Sequence, residues 1–309
     1  MNQYPLITIV GGSGFVGRHT VKLLASAGYR IRILVRDTVA AEFLKTSATV
    51  GQIAIEHVDI TRPETLAGKF KGSVAVISLV SILYESGHQK FSAINIAGAK
   101  AVATEAAKAG VPTLVHVSAL GIEQATDTVY GKTKLEGEHA VRAVFPSATI
   151  LRPSLIIGPE DGFFQRFGRM SMFLPALPII GGGKNKFQPV LVTDVAKALL
   201  SAITSPDAQG KTFEITGPQV YSFKELLQLM AMLTKRTPRL VSIPPGLAKV
   251  KGFFCELLPF KPIITRDQVK LLKHDSVASA GAAGLKQLGI AAEPIEARLS
   301  GYLARFAKV

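Results

Sequence analysis

The sequence predicts an α/β chain: a doubly wound parallel sheet followed by a smaller C-terminal lobe on the substrate side. Three observations carry that expectation. Short apolar, β-branched runs alternate with Ala-, Leu- and Lys-rich stretches of helical length. A glycine-rich turn stands directly behind the first apolar run. The 309 residues exceed one average domain but fall short of two large ones.

Leu6–Val10, Arg30–Val35, Ile53–Val58, Val74–Val80, Thr113–Val117 and Ala148–Leu151 read as strands. They are too short and too uniformly apolar to alternate between an inner and an outer face, which is the pattern of strands buried on both sides of a parallel sheet. Thr20–Ala27, Lys90–Ala109 and Tyr130–Val144 read as helices between them, so the first half is a βαβ series of Rossmann type. After Arg152 the texture changes. Pro153, Pro159, Pro175, Pro178 and Gly181-Gly182-Gly183 break the pattern, and a further strand, Phe213–Thr216, is joined by helices at Phe223–Leu233 and Arg266–Lys273. The expected organisation is a dinucleotide-binding domain over 1–152 and a smaller mixed α/β lobe over 153–309, packed on it and returning some segments to the sheet.

Composition excludes several classes. With 48% hydrophobic residues and a mean hydropathy of +0.30 the chain is not disordered. No apolar run reaches the roughly 18 residues that suggest a membrane span. Cys255 stands alone and the six histidines lack metal-ligand spacing, so neither an intrachain disulfide nor a structural zinc site is expected, and a reducing compartment fits. The N-terminus passes from Met1-Asn2-Gln3-Tyr4-Pro5 straight into Leu6–Val10 without the basic start of a secretory signal, which points to a cytoplasm. Net charge is +14, from 36 bases and 22 acids, and the C-terminal half carries more of it. The excess peaks between Lys235 and Asp275, nine bases against three acids, a field suited to phosphates, anionic lipid or an acidic protein face, or simply to solvent. No nucleic acid is expected as a partner.

Gly11-Gly12-Ser13-Gly14-Phe15-Val16-Gly17 satisfies both GxGxxG (Gly12, Gly14, Gly17) and GxxGxxG (Gly11, Gly14, Gly17), between a strand and a helix. Glycine permits the tight turn, lets backbone approach a pyrophosphate and lets helix pack closely on strand, while the amides at the helix start attract anions. The alternative is a glycine-rich turn without a ligand; the flanking strand and helix favour a dinucleotide. The second strand ends at Arg36-Asp37, nineteen residues beyond Gly17, where an NAD-selective site places an acid on the ribose 2′-hydroxyl. Here an arginine comes first. Its planar fork suits a 2′-phosphate, so NADP(H) is expected over NAD(H), with Asp37 speaking for the other choice. Asp59, closing the third strand, is placed either to reach the adenine edge or to cap the next helix.

Behind the fifth strand comes Ser118, then Tyr130 and Lys134, four apart and so on one helix face. A lysine ammonium beside a phenol favours the phenolate and lowers its pKa from about 10 toward working pH, which a tyrosine needs to exchange a proton with a carbonyl or carbinol. Ser118, leaving the C-terminal end of its strand, is placed to hold the reacting oxygen by hydrogen bond.

With the glycine turn, these residues resemble the short-chain dehydrogenase/reductase superfamily. The stretches Phe145–Ser154, Gly158–Phe164, Gln188-Pro189-Val190 with Asp194-Val195, and Pro262–Val269 are similar to its atypical branch, which contains the NAD(P)H-binding accessory subunit of respiratory complex I and bacterial relatives. The resemblance covers nearly the whole chain. It implies a tightly held NADP(H), with Gly11, Gly14 and Gly17 at the pyrophosphate, Arg36 at the 2′-phosphate, Tyr130 and Lys134 flanking the nicotinamide ribose, and Pro153 beginning the loop beside the nicotinamide. Ser118 falls where the superfamily places its carbonyl-orienting residue. It further implies a position near quinone on the cytoplasmic face of the inner membrane, with complex I or quinone-biosynthesis proteins as partners.

Three functions then compete: an accessory or assembly protein holding NADP(H), an active NADP(H)-dependent oxidoreductase on a hydrophobic carbonyl or quinone, and a sugar-nucleotide epimerase. The apolar stripe Phe163, Phe164, Phe167, Met170, Met172, Phe173, Leu174 and Leu177 disfavours the last, unless it is ordinary core. Residues 246–258, bracketed by prolines and carrying Lys249 and Lys251 beside apolar positions, read as a helix of about three turns that either lies on an anionic membrane surface or packs on the substrate lobe.

Overall fold

The computed structural model describes residues 4–244, 246 and 265–308. Its strands are β1 (Leu6–Val10), β2 (Arg30–Val35), β3 (Ile53–His57), β4 (Ser73–Ser78), β5 (Thr113–Val117), β6 (Thr149–Pro153), β7 (Ile156–Ile157), β8 (Ala176–Ile180), β9 (Lys186–Phe187), β10 (Val190–Leu191), β11 (Thr212–Ile215), β12 (Tyr221–Ser222) and β13 (Arg239–Ile243). The main helices are α1 (Phe15–Ser26), α2 (Ala99–Lys108), α3 (Val129–Val144), α4 (Phe164–Phe173), α5 (Val192–Thr204) and α6 (Phe223–Leu233), followed by Arg266–Leu271 and Glu296–Leu303.

Seven strands form one parallel sheet in the order β11-β6-β5-β4-β1-β2-β3. Both faces are covered, which is why the strands read as continuous apolar runs. Ile7, Ile9, Ile31 and Ile33 pack with Val21 and Leu24 of α1 and with Val195 and Leu199 of α5. Val10, Leu34, Val76 and Leu114 pack with Val102 and Ala103 of α2 and with Val141 of α3. The chain is thus a doubly wound α/β fold. Strand order reverses at β1, which has β2 on one side and β4 on the other, so the crevice beyond the carboxyl ends of β1 and β4 is where such a sheet takes a ligand.

A third apolar cluster lies in the later part of the chain, built from Phe164, Leu177, Phe223, Leu226, Met230, Leu299 and Phe306. It absorbs most of the aromatic stripe: Phe163 and Phe167 stack edgewise on Phe223, at 5.3 and 5.5 Å between ring centroids. Only the end of α4 escapes it, with Phe173 81% exposed beside the exposed Met172 and Leu174.

Two expected helices differ from the sequence reading, and α5, β13 and the helix Glu296–Leu303 were not among its elements. The expected helix over 90–109 is π-helical at Ser92–Gly98 before it becomes α2. Its crossing with α3 is close, for a Cβ on Gly137 would lie 2.0 Å from the Asn95 carbonyl oxygen. Helix α1 begins at Phe15 rather than Thr20, directly behind the glycine turn. Among the described residues no helix is long and apolar enough to cross a membrane. The helix expected over 246–258 lies, apart from Gly246, outside the described residues.

Candidate functional site

The crevice at β1 and β4 holds a groove of about 230 Å³, lined among others by Gly11, Ser13, Gly14, Arg36, Asp59 and Val80. Gly11 N donates to Leu34 O at 2.9 Å and Gly14 N to Gly11 O at 3.3 Å, which folds the turn back over the sheet edge. Helix α1 then starts without a side-chain cap and with no acid in its first turn, so the amides of Phe15, Val16 and Gly17 have no partner of their own helix. Their side chains do other work. Val16 packs into the core, and the Phe15 ring lies against Gly158.

The glycines divide into two kinds. A Cβ on Gly17 would sit 2.4 Å from the Gly12 carbonyl oxygen and one on Gly12 would sit 2.8 Å from Ile33, so protein packing alone demands both. A Cβ on Gly14 would meet nothing nearer than the Gly11 oxygen at 3.5 Å, and its φ of −71° suits any residue. Ser or Asp there would cap α1 better. A bare backbone that the protein does not need for itself, at an uncapped helix start lining a groove, fits a dinucleotide pyrophosphate.

Arg36 follows β2 into solvent, and its carbonyl lies 2.9 Å from the His57 ring Nδ1. Asp37, the residue that spoke for NAD(H), accepts from Ala40 N at 2.9 Å and closes a local turn. Asp59 accepts from Thr61 N at 3.0 Å and from Thr61 Oγ1 at 2.7 Å. It therefore forms a turn of its own instead of capping the next helix, Pro63–Leu66, and it lines the groove. Burial pushes its carboxyl up, but the Thr61 donors, Arg36 and Arg62 outweigh that and hold it below the usual range.

Lys134 is 1% exposed, and its Nζ donates to Val117 O at 2.9 Å, which ties α3 to the residue preceding Ser118. Burial brings its ammonium down to about 8, against the opposing pull of Glu138. Glu138 is itself buried and accepts two bonds from Arg152, at 2.9 and 2.7 Å, and Arg152 also pairs with Glu123 at 2.9 Å. Tyr130 corrects the sequence reading. Burial pushes its phenol up, offset only by the Ser81 hydroxyl, so the lysine does not draw it toward the phenolate. The physical reason is burial, which disfavours the charged phenolate. Ser118 Oγ is buried and has no hydrogen-bond partner, as is His116 Nδ1 two residues earlier. Burial, then the charge of Lys134, takes His116 down to about 3, so it is neutral. Pro153 is buried at the end of β6, and its carbonyl accepts from Leu120 N at 3.0 Å.

Sequence reasoning missed three contributors. The Asp267 carboxylate accepts from Val129 N at 2.8 Å and Tyr130 N at 2.9 Å, capping the helix that carries the tyrosine. Ser81 hydrogen-bonds the phenol. Asn95, in the π-helical turn, donates to Thr133 Oγ1 at 3.1 Å and leaves its own Oδ1 unpartnered. The only local signal was the Thr265/Gln268 capping box that opens the helix of Asp267.

Residues 7–216 match the pattern of the NAD dependent epimerase/dehydratase family. The chain belongs to that family. Within it, the chain is an atypical short-chain dehydrogenase/reductase related to a complex I subunit: it is 32% identical over 300 residues to mitochondrial NADH dehydrogenase (ubiquinone) 1 alpha subcomplex subunit 9 of Mus musculus, covering 96% of this chain and 79% of that one. It is 30% identical over 247 residues to a ceramide reductase of Caulobacter vibrioides, covering 78% and 75%. Its fold is similar to that of a triphenylmethane reductase from Citrobacter sp., with a TM-score of 0.74 at 20% identity over 96% of this chain and 99% of that one. Members of the family bind NAD(P), and dinucleotide binding is the property this chain shares with them.

Proposed function

We propose that the chain holds NADP(H) as an accessory or assembly-type protein of the complex I class, with the dinucleotide stabilising the fold by mass action. In this reading Gly11, Gly12, Ser13, Gly14 and the amides of Phe15, Val16 and Gly17 receive the pyrophosphate, Arg36 the 2′-phosphate and Asp59 the adenine edge. Tyr130 and Lys134 flank the nicotinamide ribose, Pro153 lies beside the nicotinamide, and the dinucleotide-binding unit ends at 152. The bound cofactor supplies a hydride-carrying nicotinamide.

The observation that carries the accessory role is the state of the tyrosine. A phenol pushed up by burial, with no charge of Lys134 among the influences on it, is a weaker general acid at neutral pH than the sequence reading expects. The extent of the likeness to the complex I subunit supports the same role. The test is NADPH oxidation by the purified protein with a panel of quinones and hydrophobic carbonyls. No turnover is expected, and a clear rate overturns the accessory role.

One observation favours an active reductase instead. Ser118 Oγ is buried, unpartnered and at the carboxyl end of β5, where a carbonyl oxygen would find it, and one relative is named a ceramide reductase. Under that reading Tyr130→Phe abolishes reduction and leaves cofactor affinity nearly intact, while Lys134→Ala damages both. The proposed location is the cytoplasmic face of a membrane, reached through residues 246–258. Flotation with anionic vesicles tests it: binding that falls with salt and with Lys249→Glu, Lys251→Glu supports it, and protein left in solution at low ionic strength removes lipid contact.

A further inference from the structure

A second cavity adjoins the cofactor groove. It is polar, about 180 Å³, and lined by Arg36, Asp59, Thr61, Ser86, His88 and Gln89. Arg36, Asp59 and Gln89 line both spaces. Its walls come from three places in the chain: Arg36 follows β2, Asp59 and Thr61 follow β3, and Ser86 to Gln89 belong to the loop between β4 and the π-helical turn.

Each wall has a defined shape. The Arg36 carbonyl meets the His57 ring at 2.9 Å. The Asp59 carboxylate keeps its negative charge, accepts both Thr61 donors on one oxygen, and lies close enough to Arg36 that the guanidinium partly offsets that charge at the cavity. The loop closes on itself: Ser86 N donates to Gln89 O at 3.1 Å and Gln89 N to Ser86 O at 2.9 Å, with Gly87 at φ +53° in the bend. Glu85 anchors that bend by accepting from Phe91 N at 2.8 Å, and it pairs with Lys90 at 3.4 Å. The result is a tight hairpin that brings His88 to the same cavity as Arg36, 52 residues earlier in the chain.

We propose that this cavity seats the 2′-phosphate of NADP(H) and that His88 recognises it together with Arg36, so that cofactor selectivity is shared between the end of β2 and the loop after β4. The inference rests on the NADP(H) reading above. A phosphate monoester presents three outer oxygens; the guanidinium fork takes two, and the imidazole N–H with the Ser86 hydroxyl is suited to the third. A ribose 2′-hydroxyl offers a single oxygen and leaves most of these donors idle. The same chemistry accepts free inorganic phosphate, so the experiment must separate the two.

The experiment titrates wild type, Arg36→Ala, His88→Ala and His88→Asn with NADPH, NADH and adenosine 2′,5′-bisphosphate at fixed salt, with a melting curve for each variant. His88→Ala is expected to weaken NADPH and the bisphosphate by about 3- to 10-fold, to leave NADH unchanged, and to be partly rescued by Asn, which keeps a donor. If His88→Ala keeps the wild-type ratio of NADPH to NADH affinity while Arg36→Ala loses it, His88 has no such role and the NADP(H) reading stands. If the wild type binds NADPH and NADH equally and does not bind the bisphosphate, both fall. Inorganic phosphate binding to protein already saturated with NADPH would assign the cavity to a free anion and overturn the inference.

Discussion

A methyl group on Gly17 would press on the Gly12 carbonyl oxygen at 2.4 Å, whereas one on Gly14 would meet only the Gly11 oxygen at 3.5 Å. Gly17→Ala is therefore expected to destabilise the nucleotide-free protein by about 1–3 kcal/mol, read as a lowered Tm. Gly14→Asp should do the reverse. Asp is a good cap at a helix start that has none, so Tm holds or rises, while its charge and bulk at the groove abolish NADPH binding in a fluorescence titration. Loss of stability together with loss of binding would mean that Gly14 serves packing after all. Arg36→Ala is expected to bring NADPH affinity down to that of NADH, a loss of about 10- to 100-fold for about 1.5–3 kcal/mol of charge-assisted contact. A buried histidine supplies a pH signature. His116 titrates at about 3 in the fold against 6.5 in the open chain, so the unfolded state binds the extra proton below 6.5. Stability is present above 6.5 and is lost as pH falls toward 3. Between pH 6.5 and pH 5 this single group removes about 2 kcal/mol, and His116→Gln should flatten that part of the denaturation profile.

At the scale of elements, the tyrosine helix depends on one distant segment. Asp267 caps its first turn from 137 residues away, and in the same stretch His274 pairs with Asp127 at 2.7 Å and Gln268 donates to Leu83 O at 3.2 Å. Asp267→Ala is expected to cost about 1 kcal/mol of stability, with cofactor affinity falling because Tyr130 is no longer held at its backbone. Asp267→Asn, which keeps an acceptor, should recover part of both. A variant that melts lower but binds NADPH as the wild type does would confine Asp267 to stability. Such a cap was not legible in the sequence because capping signals are local and this acid is not. The helix expected over 90–109 was legible as a helix, but its π-helical turn was not, since the widening answers the close approach of Gly137 to Asn95 rather than any local propensity.

At the scale of the molecule, the parallel sheet was readable because its central strands are buried on both faces, so their runs are mostly apolar and the βαβ rhythm survives. The smaller strands were not. β7, β9, β10 and β12 have two residues each, and β8 contains Pro178, which its edge-paired position tolerates but which reads as a breaker. The candidate site divides in the same way. The glycine turn, Arg36, Ser118, Tyr130 and Lys134 announce themselves by spacing, whereas the burial that sets the state of the phenol and the Ser81 hydroxyl that reaches it depend on how distant elements pack. On the proposed reading the groove at β1 and β4 holds NADP(H). The most direct test is to purify the protein without added nucleotide, denature it and identify what is released by chromatography. NADP(H) is expected in near-equal amount to protein; NAD(H) in its place, or no nucleotide together with no binding of added NADPH, would overturn the NADP(H) reading.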